Sequence, residues 1–503
     1  MNPDPPQTLA PTTTSPPPSK GLRSGSVGLL ASVALGLSSV APAYSIAVTL
    51  GFVTVAVGHL APAALLLGFV PILLTAFAFR ELNKEMPDCG TTFVWTTRAF
   101  GPSSGWLLGG WVTQFATVTA MAALSQVGAG YLLDLLGLDS LASDETALAV
   151  TAALLIGAIT VIAYRGLQLA AVVQYVLLAL QLVALFGFGA AALARHGALT
   201  PSLAWFDPFG FDSFGAFAKA VLLCLYIYWG WDALLTVNEE TRDSERTPGR
   251  AALISTLVLL VTYLFTAVAA ISFAGTGTSG LGLGNAGNAG NAADVLSALG
   301  PPVLGTALAK GVQLAVCVSA ISALLTCVVG SSRATLSMSV HGALPRAFAR
   351  IHPRHRTPSF GTVFMGAAAA VLLAALTWLS PAFLGDAILS IGLLIALYYG
   401  VTGLACAWLF RGQLRRSRRD ALLKGVLPLA GGLMMLAAFV RSAVDMTDPS
   451  YGSTSLFGVG GVLLLGIGSV LLGLVVMLAL RHRFRPFFRD GRNAVTALTV
   501  TED

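Results

Sequence analysis

Two short stretches of this chain combine a helix-breaking residue with polar groups inside long apolar runs. In Leu37-Ser38-Ser39-Val40-Ala41-Pro42-Ala43-Tyr44, Pro42 removes a backbone donor and disfavours helical geometry at Ala41. Ser38 and Ser39 can satisfy carbonyls freed nearby. In Tyr226-Ile227-Tyr228-Trp229-Gly230-Trp231-Asp232, a flexible glycine stands beside an ionisable carboxyl. An interrupted helix offers N–H groups at the start of one half and carbonyls at the end of the other. These ends suit an anionic and a cationic group respectively. A ligand carrying both a carboxylate and an amine, such as an α-amino acid, fits that pair of poles.

Other residues extend the candidate chemistry, each with a plainer structural alternative. Asp232 can exchange a proton with the substrate cycle, or cap the half-helix that follows it. Lys310, about seven residues into an apolar run, supplies a fixed positive charge or snorkels outward. Ser319, Ser322 and Thr326 share one helical face; they offer oxygens to a sodium ion or bond their own helix's carbonyls. Tyr44, Trp229 and Trp231 line or gate a cavity, or simply pack. Glu239 and Glu240 lie close to Arg242, Arg246 and Arg250, either as ion pairs or as a solvated face.

The elements that position these residues follow from composition. Of 503 residues, 55% are hydrophobic and only 10% charged, with a mean hydropathy of +0.79. Soluble domains carry roughly 25% charged residues, so the pattern predicts an all-α integral membrane protein in the lipid bilayer. A spanning helix needs about 20 apolar residues. Twelve such stretches lie near 27–57, 60–79, 104–135, 146–164, 167–194, 214–238, 251–274, 302–330, 359–379, 385–410, 421–441 and 454–480.

With the N-terminus placed in the cytoplasm, 25 of the 29 Lys and Arg residues fall on the inner side, the exceptions being Arg195, Lys219, Lys310 and Arg441. That asymmetry predicts an even number of spans in the cytoplasmic membrane, with both termini cytoplasmic. It also accounts for the net charge of +6 without any nucleic-acid partner. The interrupted spans are the first and the sixth, the spacing expected of an inverted five-plus-five repeat whose halves each open on a discontinuous helix. The expected organisation is a disordered tail over 1–24, a ten-helix core over 25–410 (repeats about 27–195 and 214–410), two peripheral helices over 411–480 and a tail over 481–503.

The five cysteines are scattered, without a CxxC or a cysteine–histidine cluster, so no metal site or disulfide is expected. The Gly/Asn-rich stretch within 275–300 reads as a flexible spacer. No HExxH or GxxxxGK[ST] signature occurs, which argues against a zinc hydrolase or an ATP-driven pump, and the sequence calls for no enzyme activity or cofactor.

Three loops carry a family resemblance. Arg80-Glu81-Leu82-Asn83-Lys84-Glu85-Met86-Pro87-Asp88-Cys89-Gly90-Thr91-Thr92-Phe93, running on to Arg98-Ala99-Phe100-Gly101-Pro102, resembles the segment after span two of amino acid–polyamine–organocation (APC) transporters. Thr91 stands where that family has a second glycine. Glu239-Glu240-Thr241 with Arg246, Pro248 and Arg250 resembles the segment after span six. Ser332-Arg333 through Met338, His341-Gly342 and Leu344-Pro345 to Pro358 resembles the loop between spans eight and nine.

The resemblance implies a LeuT-type fold and secondary transport of an amino acid or related amine by alternating access, driven by a proton or by exchange. The alternatives are a sodium-coupled transporter of another small solute and a transport-inactive sensor or scaffold. It implies that the backbone of Ser39 to Ala43 holds the substrate together with span six. Trp229, Gly230 and Trp231 match the family's unwound stretch, Tyr226 matches a gating aromatic, and Asp232 matches an acidic position. The family's Gly-rich motif in span one is replaced here by Ser38 to Pro42. Gln181 stands where some proton-coupled relatives have a span-five lysine; it cannot titrate, so coupling by that route is excluded.

Overall fold

The computed structural model of the protein describes residues 20–195, 197–284, 294–379, 381–449, 451–456 and 458–494. Among these residues the fold is helical, apart from a two-residue antiparallel ladder in which Ser455 faces Gly460 and Leu456 faces Val459. Among the described residues eleven helical segments are long and apolar enough to cross a membrane, which makes this a multi-pass membrane protein. The sequence pattern predicts twelve. The difference arises because the first two expected spans fall within one helical run, Leu29–Glu85, of 57 residues.

A straight helix of that length would reach about 85 Å, against a hydrocarbon core of about 30 Å. The run is instead divided. Helix α1 (Leu29–Val40) ends where Ala41 takes a left-handed conformation at φ 53°, and α2 (Pro42–Val57) starts on Pro42, which supplies no N–H. Gly58, at φ 57° and ψ −132°, reverses the chain into α3 (Ala61–Glu85). The end of α3 returns to the level where α1 begins. There Val27 N–H donates to Glu240 O at 3.0 Å, and Asn83 Nδ2 donates to Ser244 O at 2.8 Å.

The remaining long elements are α4 (Thr92–Phe100), α5 (Val112–Leu135), α6 (Glu145–Arg165), α7 (Leu167–Ala194), α8 (Phe214–Ile227) and α9 (Thr247–Ala274). They continue with the short apolar α10 (Val295–Leu304), then α11 (Thr306–Val340), α12 (Ser359–Leu379), α13 (Pro381–Leu409), α14 (Leu427–Asp445), α15 (Gly461–Leu480) and α16 (Arg485–Ala494). A 3₁₀ segment, Trp231–Glu240, continues α8 beyond its break. Helix α11 packs along α5 and α7, and α13 along α14 and α5. Inside the bundle, Phe79 meets Trp95, Trp231 and Tyr399 at ring separations of 5.3, 5.2 and 5.4 Å.

Parts of both expected tails pack on the bundle. Residues 20–24 dock rather than trail, with Lys20 and Leu22 buried. At the other end, α16 packs on the bundle: Phe487 stacks on Phe93 at 5.7 Å, and the Arg492 guanidinium donates to the carbonyls of Arg98 and Ala99. The docked residues are amphipathic, and their apolar or ion-paired side chains find partners that only the folded bundle creates. Residues 1–19, 495–503 and the Gly/Asn-rich 285–293 lie outside the described residues.

Candidate functional site

The two chain breaks meet. Gly230, at φ 113°, passes so close to α1 that a Cβ there would lie 2.6 Å from Ser39 O. Only glycine fits both the conformation and the approach. The Ser39 hydroxyl donates across the gap to Gly230 O at 2.7 Å while also lying 2.8 Å from Gly36 O.

Around this contact lies a cavity lined by residues from both breaks. The α1–α2 break supplies Ser39, Val40, Ala41, Tyr44 and Ser45; the α8 break supplies Tyr226, Trp229, Gly230 and Asp232. The facing walls come from Thr113, Gln114 and Thr117 of α5, from Thr326, Cys327 and Gly330 of α11, and from Tyr398 of α13. At one end Tyr44 and Tyr226 bring their hydroxyls to 3.3 Å, and at the other the wall reaches Gly90 and Thr91.

Asp232 lies in the first turn of the 3₁₀ segment, whose N-cap is Gly230. It is turned toward α13, where Tyr398 donates to Oδ2 at 3.0 Å and Tyr399 to Oδ1 at 2.8 Å. Trp229 Nε1–H donates in turn to the Tyr398 hydroxyl at 2.6 Å. The two tyrosines are the functional residues the sequence reading missed. Their signal is adjacency: two hydroxyl-bearing rings side by side in the middle of an apolar span.

Several other expected site residues lie elsewhere. Trp231 was expected beside Trp229 in the cavity wall, but it is fully buried among Phe79 and Tyr399. Successive residues of a helical segment point in different directions, so flanking Gly230 on both sides does not put both rings in one cavity. Ser38, Pro42 and Ala43 are buried behind the wall. Lys310 is exposed, in the second turn of α11, away from the cavity.

Ser319 and Ser322 are buried and spend their hydroxyls on α7. Ser319 accepts the Tyr44 N–H at 3.2 Å and donates to Gln181 Oε1 at 2.8 Å. Ser322 donates to Gln174 Oε1, while Gln174 Nε2 donates to Ser322 O at 2.9 Å and to Thr326 Oγ1 at 2.8 Å. Thr326 bonds its own helix at Ser322 O. Gln181 thus reaches the α2 start through Ser319, without lining the cavity.

Beyond Gly90 lies a second polar cluster. Lys20 Nζ sits 2.7 Å from Asp88 Oδ2, 2.6 Å from Glu239 Oε1 and 3.5 Å from Cys89 Sγ. His341 Nε2 lies 3.1 Å from Asp88 Oδ2, and Ser337 donates to Asp88 Oδ1 at 2.5 Å. Burial opposes the Asp88 charge, but Lys20 and His341 hold its carboxyl well below the usual range. Burial likewise opposes the Lys20 charge, and the facing carboxylates push its ammonium above the usual lysine range. Burial and the neighbouring Glu239 push the Cys89 thiol up.

Asp88, Cys89 and Glu239 bring potential metal-ligand atoms within 4.8 Å of one another. With the Lys20 ammonium touching all three and the thiol held protonated, the arrangement is an ion-pair cluster. Alongside it, Arg333 forks onto both carboxylate oxygens of Glu240, both side chains almost fully buried. The partners of Glu239 and Glu240 are therefore Lys20 and Arg333, and not the nearby Arg242, Arg246 and Arg250.

The sequence model of the family described as amino acid permease matches residues 27–480. An uncharacterised transporter of Mycobacterium tuberculosis is 28% identical over 366 residues, 69% of this chain and 73% of the relative. The branched-chain amino acid permease of Bacillus subtilis is 24% identical over 315 residues, 60% of this chain and 64% of the relative. A low-affinity putrescine importer of Escherichia coli K12 is 22% identical over 397 residues, 76% of this chain and 81% of the relative.

Proposed function

The chain belongs to the amino acid permease family, and from that premise we propose that it is a secondary active transporter moving an amino acid or related amine across the cytoplasmic membrane. The family and the transporter names of the relatives indicate a transporter and not an enzyme. The single observation that carries the finer reading is the meeting of two broken helices at one cavity, through Ser39 and Gly230. Discontinuous helices that meet at a shared site are how repeat-built transporters form their binding sites.

In this reading the Leu29–Glu85 run counts as two crossings, which gives twelve. Helices one to five and six to ten form the inverted repeats within 25–410, two peripheral helices occupy 411–480, and both termini face the cytoplasm. The position of the cavity between the Tyr44–Tyr226 contact and the Lys20 cluster supports alternating access, with one closure on each side. Substrate contacts fall to Ser39, Val40, Ala41, Tyr44, Tyr226, Trp229 and Gly230. A proton or substrate exchange supplies the driving force, with Asp232 as the candidate carrier. The engagement of Ser319 and Ser322 with Gln181 and Gln174 supports this over sodium.

The test is uptake into proteoliposomes of labelled amino acids and amines under separately imposed proton and sodium gradients. Gradient-driven accumulation of at least one substrate is the expected result. Folded protein that moves none of the panel overturns the transporter reading in favour of a sensor, and sodium-dependent uptake lost in Ser322→Ala overturns the proton assignment.

A further inference from the structure

The cavity is polarised in a way that an α-amino acid does not require. Among the described residues lining it, Asp232 is the one carboxylate, and there is no Lys, Arg or His. Its two recorded side-chain partners, Tyr398 and Tyr399, are neutral hydroxyls that both donate to it. A carboxylate that only accepts is in the state expected of the ionised form. An ionised group at membrane depth is costly unless a positive charge accompanies it.

Most of the N–H groups at the α2 start that would hold a substrate carboxylate are already engaged by the chain or missing. Of the four N–H groups that open a helix without an intrahelical acceptor, the α2 start keeps few. The Ala41 N–H goes to Ser38 O at 3.2 Å, Pro42 has none, and the Tyr44 N–H goes to Ser319 Oγ, leaving that of Ala43. The other helical start in the cavity, at Trp231, carries Asp232 in its own first turn. That charge takes the favourable end of the dipole and repels a second anion.

The rest of the wall favours a cation. Tyr44, Tyr226, Trp229 and Tyr398 present aromatic rings suited to an ammonium group. Gln114 Oε1, buried in the α5 wall, is an acceptor with no hydrogen bond from the described residues.

We propose that this cavity recognises its substrate by a positively charged amine set against Asp232, and that a substrate carboxylate is dispensable: the class transported is primary amines and diamines, with basic amino acids as accepted relatives. The proposal rests on the transporter reading above and narrows it.

The test uses the full chain in proteoliposomes and two matched pairs of probes, lysine with cadaverine and leucine with isoamylamine, each pair differing only by the carboxylate. Cadaverine is expected to enter at least as fast as lysine and to compete at least as well. Asp232→Asn is expected to lower cadaverine uptake about tenfold or more, the loss of about 1.4 kcal/mol of binding, with Asp232→Glu keeping a measurable share. Entry of lysine or leucine while the matching amines neither enter nor compete overturns the proposal and leaves the transporter reading intact. Unchanged cadaverine uptake in a folded Asp232→Asn protein overturns it equally. If no probe enters with folded wild-type protein, both readings fall. The within-pair comparison is made on the wild type, so it decides the matter even if Asp232→Asn does not fold.

Discussion

Two enclosed carboxylates, Asp232 in the cavity wall and Asp88 in the polar cluster beyond Gly90, are treated in opposite ways. Asp88 is surrounded by an ammonium, an imidazole and a hydroxyl, all supplied by the chain. Asp232 receives two tyrosine hydroxyls and no cation from the described residues. The first carboxylate is neutralised by the fold and acts as a fastening between Lys20, the loop after α3 and the end of α11. The second is positioned by the fold but not neutralised, which leaves its charge available for recognition.

The contrast is broken most severely by disturbing the fastened end. Glu240→Gln leaves Arg333 buried without its counter-charge and is expected to cost about 3–5 kcal/mol of stability. Asp232→Asn, in the same thermal-unfolding assay on purified protein, is expected to cost less, at most about 1.5–3 kcal/mol, because an amide oxygen still accepts from one tyrosine. Equal losses in the two variants would remove the distinction.

A smaller effect is expected from Tyr399→Phe. It deletes one hydrogen bond to a charged group, worth about 1.5–3 kcal/mol, and lets the Asp232 carboxylate turn. The expected readout is a raised KM for the transported cation with kcat less affected; a fall in kcat alone would assign Tyr399 to the conformational cycle instead.

The smallest expected effect is a null one. Lys20 is held above lysine's ordinary 10.5, so its contribution is fully present below that pH and fades only as pH rises beyond it. Asp88 is held below its ordinary 3.8, so its contribution is present above that pH and fades only in stronger acid. The difference in melting temperature between wild type and Lys20→Met is therefore expected to stay constant from about pH 5 to pH 9. A difference that collapses within that window would mean the fastening is a pH switch.

The sequence makes the scaffold legible because its signals are local. Apolar run length marks the spans, and Pro42 and Gly230 mark the breaks without any tertiary knowledge. Asp232 stands out for the same reason, as a charge where charges are scarce. What escapes the sequence depends on distant partners. Tyr398 and Tyr399 acquire their role from a residue more than 160 positions away. Lys20 looks like part of a tail until Asp88 and Glu239 are brought to it. Trp231 shows the limit at short range, since motif position does not fix which way a ring faces.

The Ser39 hydroxyl, held between Gly36 O and Gly230 O, has a mechanical consequence. It acts as one pin through two hinges: neither interruption can swing without dragging the other or shearing the Ser39–Gly230 bond. Under the transporter reading proposed above, a pin shared by two hinges would make the closures on the two sides of the cavity move together, with a leak through both requiring the Ser39–Gly230 bond to break first.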